Sequence, residues 1–174
     1  MTGETPSEQG PRGLGGWLIL VAIGLVIAPL RMTALTVTDL VPIITGGYWS
    51  ALTDPTSPTY HPLWAPLLIL EGVGNTVFSV FAAILLVLFF QRSRRFPGLM
   101  VAYLVSSLLF VTADYFVAEL IPVVAAQDDV NSTRELGRAA VASLIWIPYF
   151  RRSRRVRNTF VEPAAADPGP APAT

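Results

Sequence analysis

The chain contains no cysteine and no lysine, and charge of any kind is scarce. The first absence excludes disulfides, thiolate nucleophiles and thiolate metal sites. The second leaves arginine as the sole carrier of fixed positive charge. Charged residues make up 14% of the 174 residues and hydrophobic ones 52%, whereas soluble domains carry about 25% charged residues. So few charges cannot coat a water-exposed surface of this size, and a lipid solvent removes the difficulty. The formal net charge is zero, so no general basic field points to nucleic acid. The HExxH, phosphate-loop and G-x-S-x-G patterns are missing, and Asp128-Asp129 is too short a run to hold a metal by itself. We expect no catalytic residue, no cofactor, no metal and no enzymatic activity.

What fills the chain instead is four long apolar stretches, residues 14–35, 64–90, 99–124 and 132–150. A hydrocarbon layer of about 30 Å needs about 20 apolar residues of helix. The pattern predicts an all-α integral membrane protein, a four-transmembrane-helix bundle of two antiparallel hairpins occupying residues 14–161. Residues 1–13 and 162–174 are polar or rich in Ala and Pro, and predict disordered cytoplasmic tails.

Between the first two stretches, residues 36–63 hold Pro42, Gly46, Gly47, Pro55 and Pro58. They read as an outer loop, with at most a short surface helix. Trp17, Tyr48, Trp49, Tyr60 and Trp64 suit the membrane–water boundary. His61 is the one histidine and has no evident partner; it reads as a boundary residue at the start of a helix. Ser132-x-x-Glu135 reads as a capping box opening the fourth helix. Pro148 lacks an N–H and should kink or end that helix near its last turn.

Arginine sets the orientation. Phe90-Gln91-Arg92-Ser93-Arg94-Arg95 closes the second stretch and Phe150-Arg151-Arg152-Ser153-Arg154-Arg155 closes the fourth. Arg12 precedes the first, and the segment 36–61 has no arginine. Positive charge in short flanking segments stays on the cytoplasmic side, so both termini are expected there. The resemblance of the two basic runs reflects two exits sharing that bias. The second run could also attract anionic lipid headgroups, each arginine contributing about 1 kcal/mol near the surface.

Charges inside the stretches are the candidate site. Arg31, Glu71, Asn75, Asp114, Arg134 and Arg138 form the expected polar intramembrane cluster. At about 1.5 Å per residue, Arg138 lies about 18 Å from Phe150 and Asp114 about 22 Å from Leu99. Both fall in the outer half, and Arg138–Asp114 is the best-matched pair, followed by Arg134 or Arg31 with Glu71. Glu71, Asn75, Ser79 and Ala82 share one stripe of the second helix; Tyr103, Ser107, Phe110 and Asp114 share one of the third. Two readings follow: ion pairs that lock the helices in register, or an outward-opening cavity for a solute, ion or proton. The near balance of arginines and acids favours the first.

These residues also resemble a known family. Gly15-Gly16-Trp17-Leu18-Ile19-Leu20, Glu71, Asn75 and above all Trp146-Ile147-Pro148-Tyr149-Phe150-x-x-Ser153-x-Arg155-Val156-x-x-Thr159-Phe160 are similar to the domain-of-unknown-function 2569 family. The resemblance covers roughly residues 14–161. Arg155-Val156-Arg157 stands where relatives often carry lysines. It implies a small multi-pass protein of the bacterial plasma membrane and brings no established activity. The expected partners are the bilayer, a second copy or another membrane protein. The expected role is a non-enzymatic assembly or accessory protein, with a small-solute or proton carrier as the alternative.

Overall fold

The structure, a computed structural model, describes residues 13–126 and 130–161. The expected tails (Gly13 apart), Arg12 and the Asp128-Asp129 link lie outside the described residues. Among the described residues every regular element is helical. Helix α1 spans Trp17–Leu35, and a π-helical turn, Thr36–Leu40, carries it without a break into α2, Val41–Thr45. Short α3, Tyr48–Thr53, follows. Then come α4, Trp64–Phe90, α5, Phe96–Ala118, the single turn α6, Pro122–Ala125, and α7, Val130–Arg152. The chain closes with α8, Arg154–Val156, and a second π-helical turn, Arg157–Val161.

Among the described residues three helices are long and apolar enough to cross a membrane: the continuous Trp17–Thr45, Trp64–Phe90 and Phe96–Ala118. Their outward faces are bare hydrocarbon. Ile19, Ile23 and Ile27, then Ile69, Val73, Val77 and Val80, are exposed. Water would not tolerate apolar patches on this scale; acyl chains match them.

The second stretch coincides with α4, while the others need correction. The first helix starts at Trp17 and does not stop at Leu35. Much of the expected outer loop is therefore helix. The widened turn explains how Pro42 is accommodated, because the ladder has already shifted register: the Val41 N–H bonds to the Thr36 carbonyl. Helix α5 begins three residues earlier than expected, with Pro97 in its first turn, where a missing N–H costs nothing. It ends at Ala118, before Pro122 opens α6. Helix α7 already includes Val130, so Ser132 lies within the helix and is not its N-cap. Pro148 is inside α7, which runs on to Arg152. Proline is tolerated in such helices when neighbouring groups satisfy the freed carbonyls.

Helix α1 lies on α4, α4 on α5, and α5 on α7. Gly74 permits the tight α4–α5 crossing, since a Cβ there would sit 2.1 Å from the Phe110 ring. At one end the two basic runs, the start of α1 and the last turns of the chain meet in a plate of aromatic side chains. Phe96 is central, with ring centroids 4.8 Å from Phe160, 5.3 Å from Phe89 and 5.7 Å from Phe150. The Gly13 N–H donates to Thr159 Oγ1 at 3.1 Å. The Arg155 guanidinium lies over the backbone of Gly15 and Gly16, where a Cβ would meet Nη1 at 3.1 and 3.0 Å.

Candidate functional site

In both basic runs a serine hydroxyl accepts a backbone N–H from the residues that follow. At the end of α4 the Arg92 N–H donates to the Phe89 carbonyl and the Ser93 N–H to the Leu88 carbonyl, each at 3.0 Å. This is the pair of bonds that closes a helix on a left-handed residue, here Arg92 at φ 51°. Ser93 Oγ then accepts the Arg95 N–H at 3.3 Å. At the end of α7 Ser153 Oγ accepts the Val156 N–H at 3.4 Å. Ser153 is the N-cap of α8, whereas the N-cap of α5 is Arg95, which makes no side-chain capping bond; Phe96 and Val156, which follow, are buried.

The family string is thereby placed. Trp146 meets Trp17 edge to face at 6.1 Å and Tyr149 at 5.6 Å. Phe150, Val156, Thr159 and Phe160 are buried, Ser153 caps α8, and Arg155 covers the glycines at the start of α1. Pro148 faces outward from α7. The string is the packing code of the aromatic plate.

At the opposite end the helices part around a cavity of about 540 Å³. Its wall includes all six residues of the expected polar cluster: Arg31, Glu71, Asn75, Asp114, Arg134 and Arg138. The inward stripes of α4 and α5 supply Glu71, Asn75 and Asp114, α1 supplies Arg31, and α7 supplies Arg134 and Arg138. Asn75 Nδ2 donates to Thr36 Oγ1 at 3.3 Å, which braces the π-helical turn against α4. Thr36 Oγ1 in turn donates to the Met32 carbonyl at 3.0 Å.

The pairing differs from the expected one. Arg31 forms a two-pronged ion pair with Glu135, with Nη1 donating to Oε2 at 3.2 Å and Nη2 bonded to Oε1. Among the described residues Asp114 and Arg138 form no ion pair, and Asp114 Oδ1 is buried without a hydrogen-bond partner. The reason lies in Glu135. Glu135 also fits the second half of a capping box, a local role that masks its pairing among the intramembrane charges. Yet it stands about 22 Å from Phe150, level with Arg31 at about 25 Å from Leu14. The same height rule would have found the pair.

His61 is where the boundary reading put it: Nδ1 accepts the Leu63 N–H at 3.3 Å, just before α4. Asp54, beyond the membrane-spanning helices, accepts hydrogen bonds from the Thr56 N–H at 2.9 Å and the Thr56 hydroxyl at 2.8 Å. These bonds hold its carboxyl below the ordinary aspartate range.

Lipid-facing helices packed around a polar cavity make this an integral membrane protein of helical class. The family described as "Protein of unknown function (DUF2569)" matches residues 11–161, and the chain belongs to that family. It is 28% identical over 159 residues to the inner membrane protein YdgK of Escherichia coli (strain K12), covering 88% of this chain and 97% of that protein. No solved structure matches it.

Proposed function

We propose that the chain crosses the bacterial inner membrane four times with both ends cytoplasmic, and serves as a non-enzymatic accessory protein that assembles with itself or with another membrane protein. The membrane follows that of the relative, an inner membrane protein. Two observations support the number of crossings. Gly13 is bonded to Thr159, and a segment whose two ends lie together on one side crosses an even number of times. Helix α7 also turns Val141, Leu144 and Ile145 outward, Leu144 at 74% exposure, although its first third is charged. The gathering of arginines at the aromatic plate supports the cytoplasmic placement of that end. Exposed Arg151, Arg152 and Arg154 suit anionic headgroups there.

The observation that carries the non-catalytic reading is the Arg31–Glu135 pair. It neutralises two intramembrane charges and fastens α1 to α7, which is a structural use of charge. Crosslinking in native membranes followed by affinity capture tests this reading. A self-adduct or one reproducible membrane partner is expected, and recovery of the uncrosslinked monomer alone would count against it. Tags on each terminus, probed in intact cells and in inverted vesicles, test the orientation.

One observation favours a carrier instead: the cavity of about 540 Å³ is lined by Asp114, whose Oδ1 is buried without a hydrogen-bond partner. Asp114→Asn separates the two. Loss of a solute or proton flux at unchanged abundance favours the carrier; loss of abundance favours the structural role.

A further inference from the structure

The polar cavity balances its charges without pairing them. Three arginines, Arg31, Arg134 and Arg138, and three acids, Glu71, Asp114 and Glu135, line it. Among the described residues only Arg31 and Glu135 join in an ion pair. Arg134 and Arg138 stand one turn apart on α7, a spacing that makes their side chains neighbours. Among the described residues neither makes an ion pair. Asp114 lines the cavity from α5, and its Oδ1 is buried without a hydrogen-bond partner. The frame around these groups is fixed: α7 packs on α5, and the Arg31–Glu135 pair fastens α7 to α1.

This arrangement constrains what can fill it. Opposite charges kept apart inside a bundle faced by lipid form a dipole with both ends unsatisfied, which is costly. A ligand of net charge would upset the balance of the wall, and an uncharged one would leave the dipole unmet. A zwitterion does neither. The volume, about 540 Å³, falls within the range of about 300–1,000 Å³ usual for small-ligand sites. Access is from the water outside. The cavity reaches Asn131 and Ser132 in the first turn of α7, and Asp114 comes one turn before the end of α5 at Ala118. Met32, Leu35, Phe110 and Val111 complete the lining, which suits an apolar side chain on the ligand.

We infer that the polar cavity binds an α-amino acid with an apolar side chain, its carboxylate clamped by Arg134 and Arg138 and its ammonium at Asp114. The inference deepens the carrier reading and rests on it in one respect, that the cavity holds a solute. It supplies the chemical class of that solute, and it leaves the Arg31–Glu135 pair its structural use as part of the frame.

Calorimetric titration of the full chain in neutral detergent tests it with leucine, leucinamide, N-acetylleucine and N-acetylleucinamide. These share one side chain and carry both charges, the cation alone, the anion alone and neither. Leucine should bind about tenfold or more tightly than each capped form, the worth of one charged hydrogen bond. Arg138→Gln should narrow the gap between leucine and leucinamide and preserve that between leucine and N-acetylleucine. Asp114→Asn should do the reverse. A purely structural role for either residue would not exchange the two preferences. Absence of leucine binding to folded wild type, equal binding of leucine and any capped form, or the same change of both gaps in a folded variant would overturn the inference. The wild-type comparison decides even where a variant fails to fold. Uptake of labelled solutes into proteoliposomes separates this claim from the reading beneath it. Leucine binding without uptake would retire the carrier and leave the site, whereas uptake of another solute without leucine binding would retire the site and leave the carrier.

Discussion

Arg31 and Glu135, 104 residues apart in sequence, share two hydrogen bonds across the gap between α1 and α7. They join the helix that opens the membrane domain to the one that closes it. A charged hydrogen bond contributes about 1.5–3 kcal/mol, although partners in the membrane-unfolded state reduce such values. Arg31→Gln and Glu135→Gln should each lower the unfolding midpoint in detergent, and the exchange Arg31→Glu with Glu135→Arg should recover most of the loss. A doubly exchanged protein no more stable than the single variants would show that the pair does not fasten the helices.

Two glycines should respond in opposite ways. Gly74 faces the Phe110 ring at a distance no Cβ can share, and overpacking costs about 1–3 kcal/mol. Gly74→Ala should therefore destabilise. Gly24 has open space around it, and alanine is better than glycine in a helix by about 1 kcal/mol. Gly24→Ala should be neutral or stabilising in the same thermal assay.

Arg92 occupies a left-handed conformation at φ 51°, which costs a non-glycine residue about 1–2 kcal/mol. Arg92→Gly should raise the unfolding midpoint, and Arg92→Val should lower it. Orientation should survive in the glycine variant, because Arg94 and Arg95 remain in the turn.

The Ser153 cap can be removed on its own. Loss of an N-cap costs about 0.5–2 kcal/mol. Ser153→Ala should loosen α8 and the turn that carries Phe160, so protease cleavage between residues 153 and 161 should accelerate in detergent-solubilised protein.

Asp54 supplies a pH signal outside the membrane. Its carboxyl is lowered by the bonds from Thr56, so the bonds stabilise the turn above the ordinary aspartate pKa. That contribution disappears as pH falls through the lowered value. A carboxyl NMR titration should place Asp54 below an unstructured aspartate, and Thr56→Ala should return it towards the ordinary range.

What the sequence made legible follows from which interactions are local. Helix α4 was readable end to end because Trp64 and Phe90 bound a run that is apolar apart from one polar stripe. The six cluster residues came together in one cavity because helical spacing and height are both written in residue number. The continuation of α1 past Leu35 was not readable: Thr36, Thr38, Asp39 and Pro42 resemble a loop, and a π-helical register shift leaves no periodic trace. The partner of Arg31 was hidden because a glutamate three residues after a serine has two meanings. The docking of Arg155 on Gly15 and Gly16 depends on chain ends more than a hundred positions apart, which no local pattern reports.

The contact between Gly13 and Thr159 also imposes an order of events. A ribosome delivers the first helix long before Arg155, Thr159 and Phe160 exist, so Gly13, Gly15 and Gly16 stay uncovered until those residues emerge. Closure of the aromatic plate thus follows the synthesis of residues 155–160. A chain truncated before residue 153 would expose unfilled phenylalanine surface where quality-control proteases can reach it.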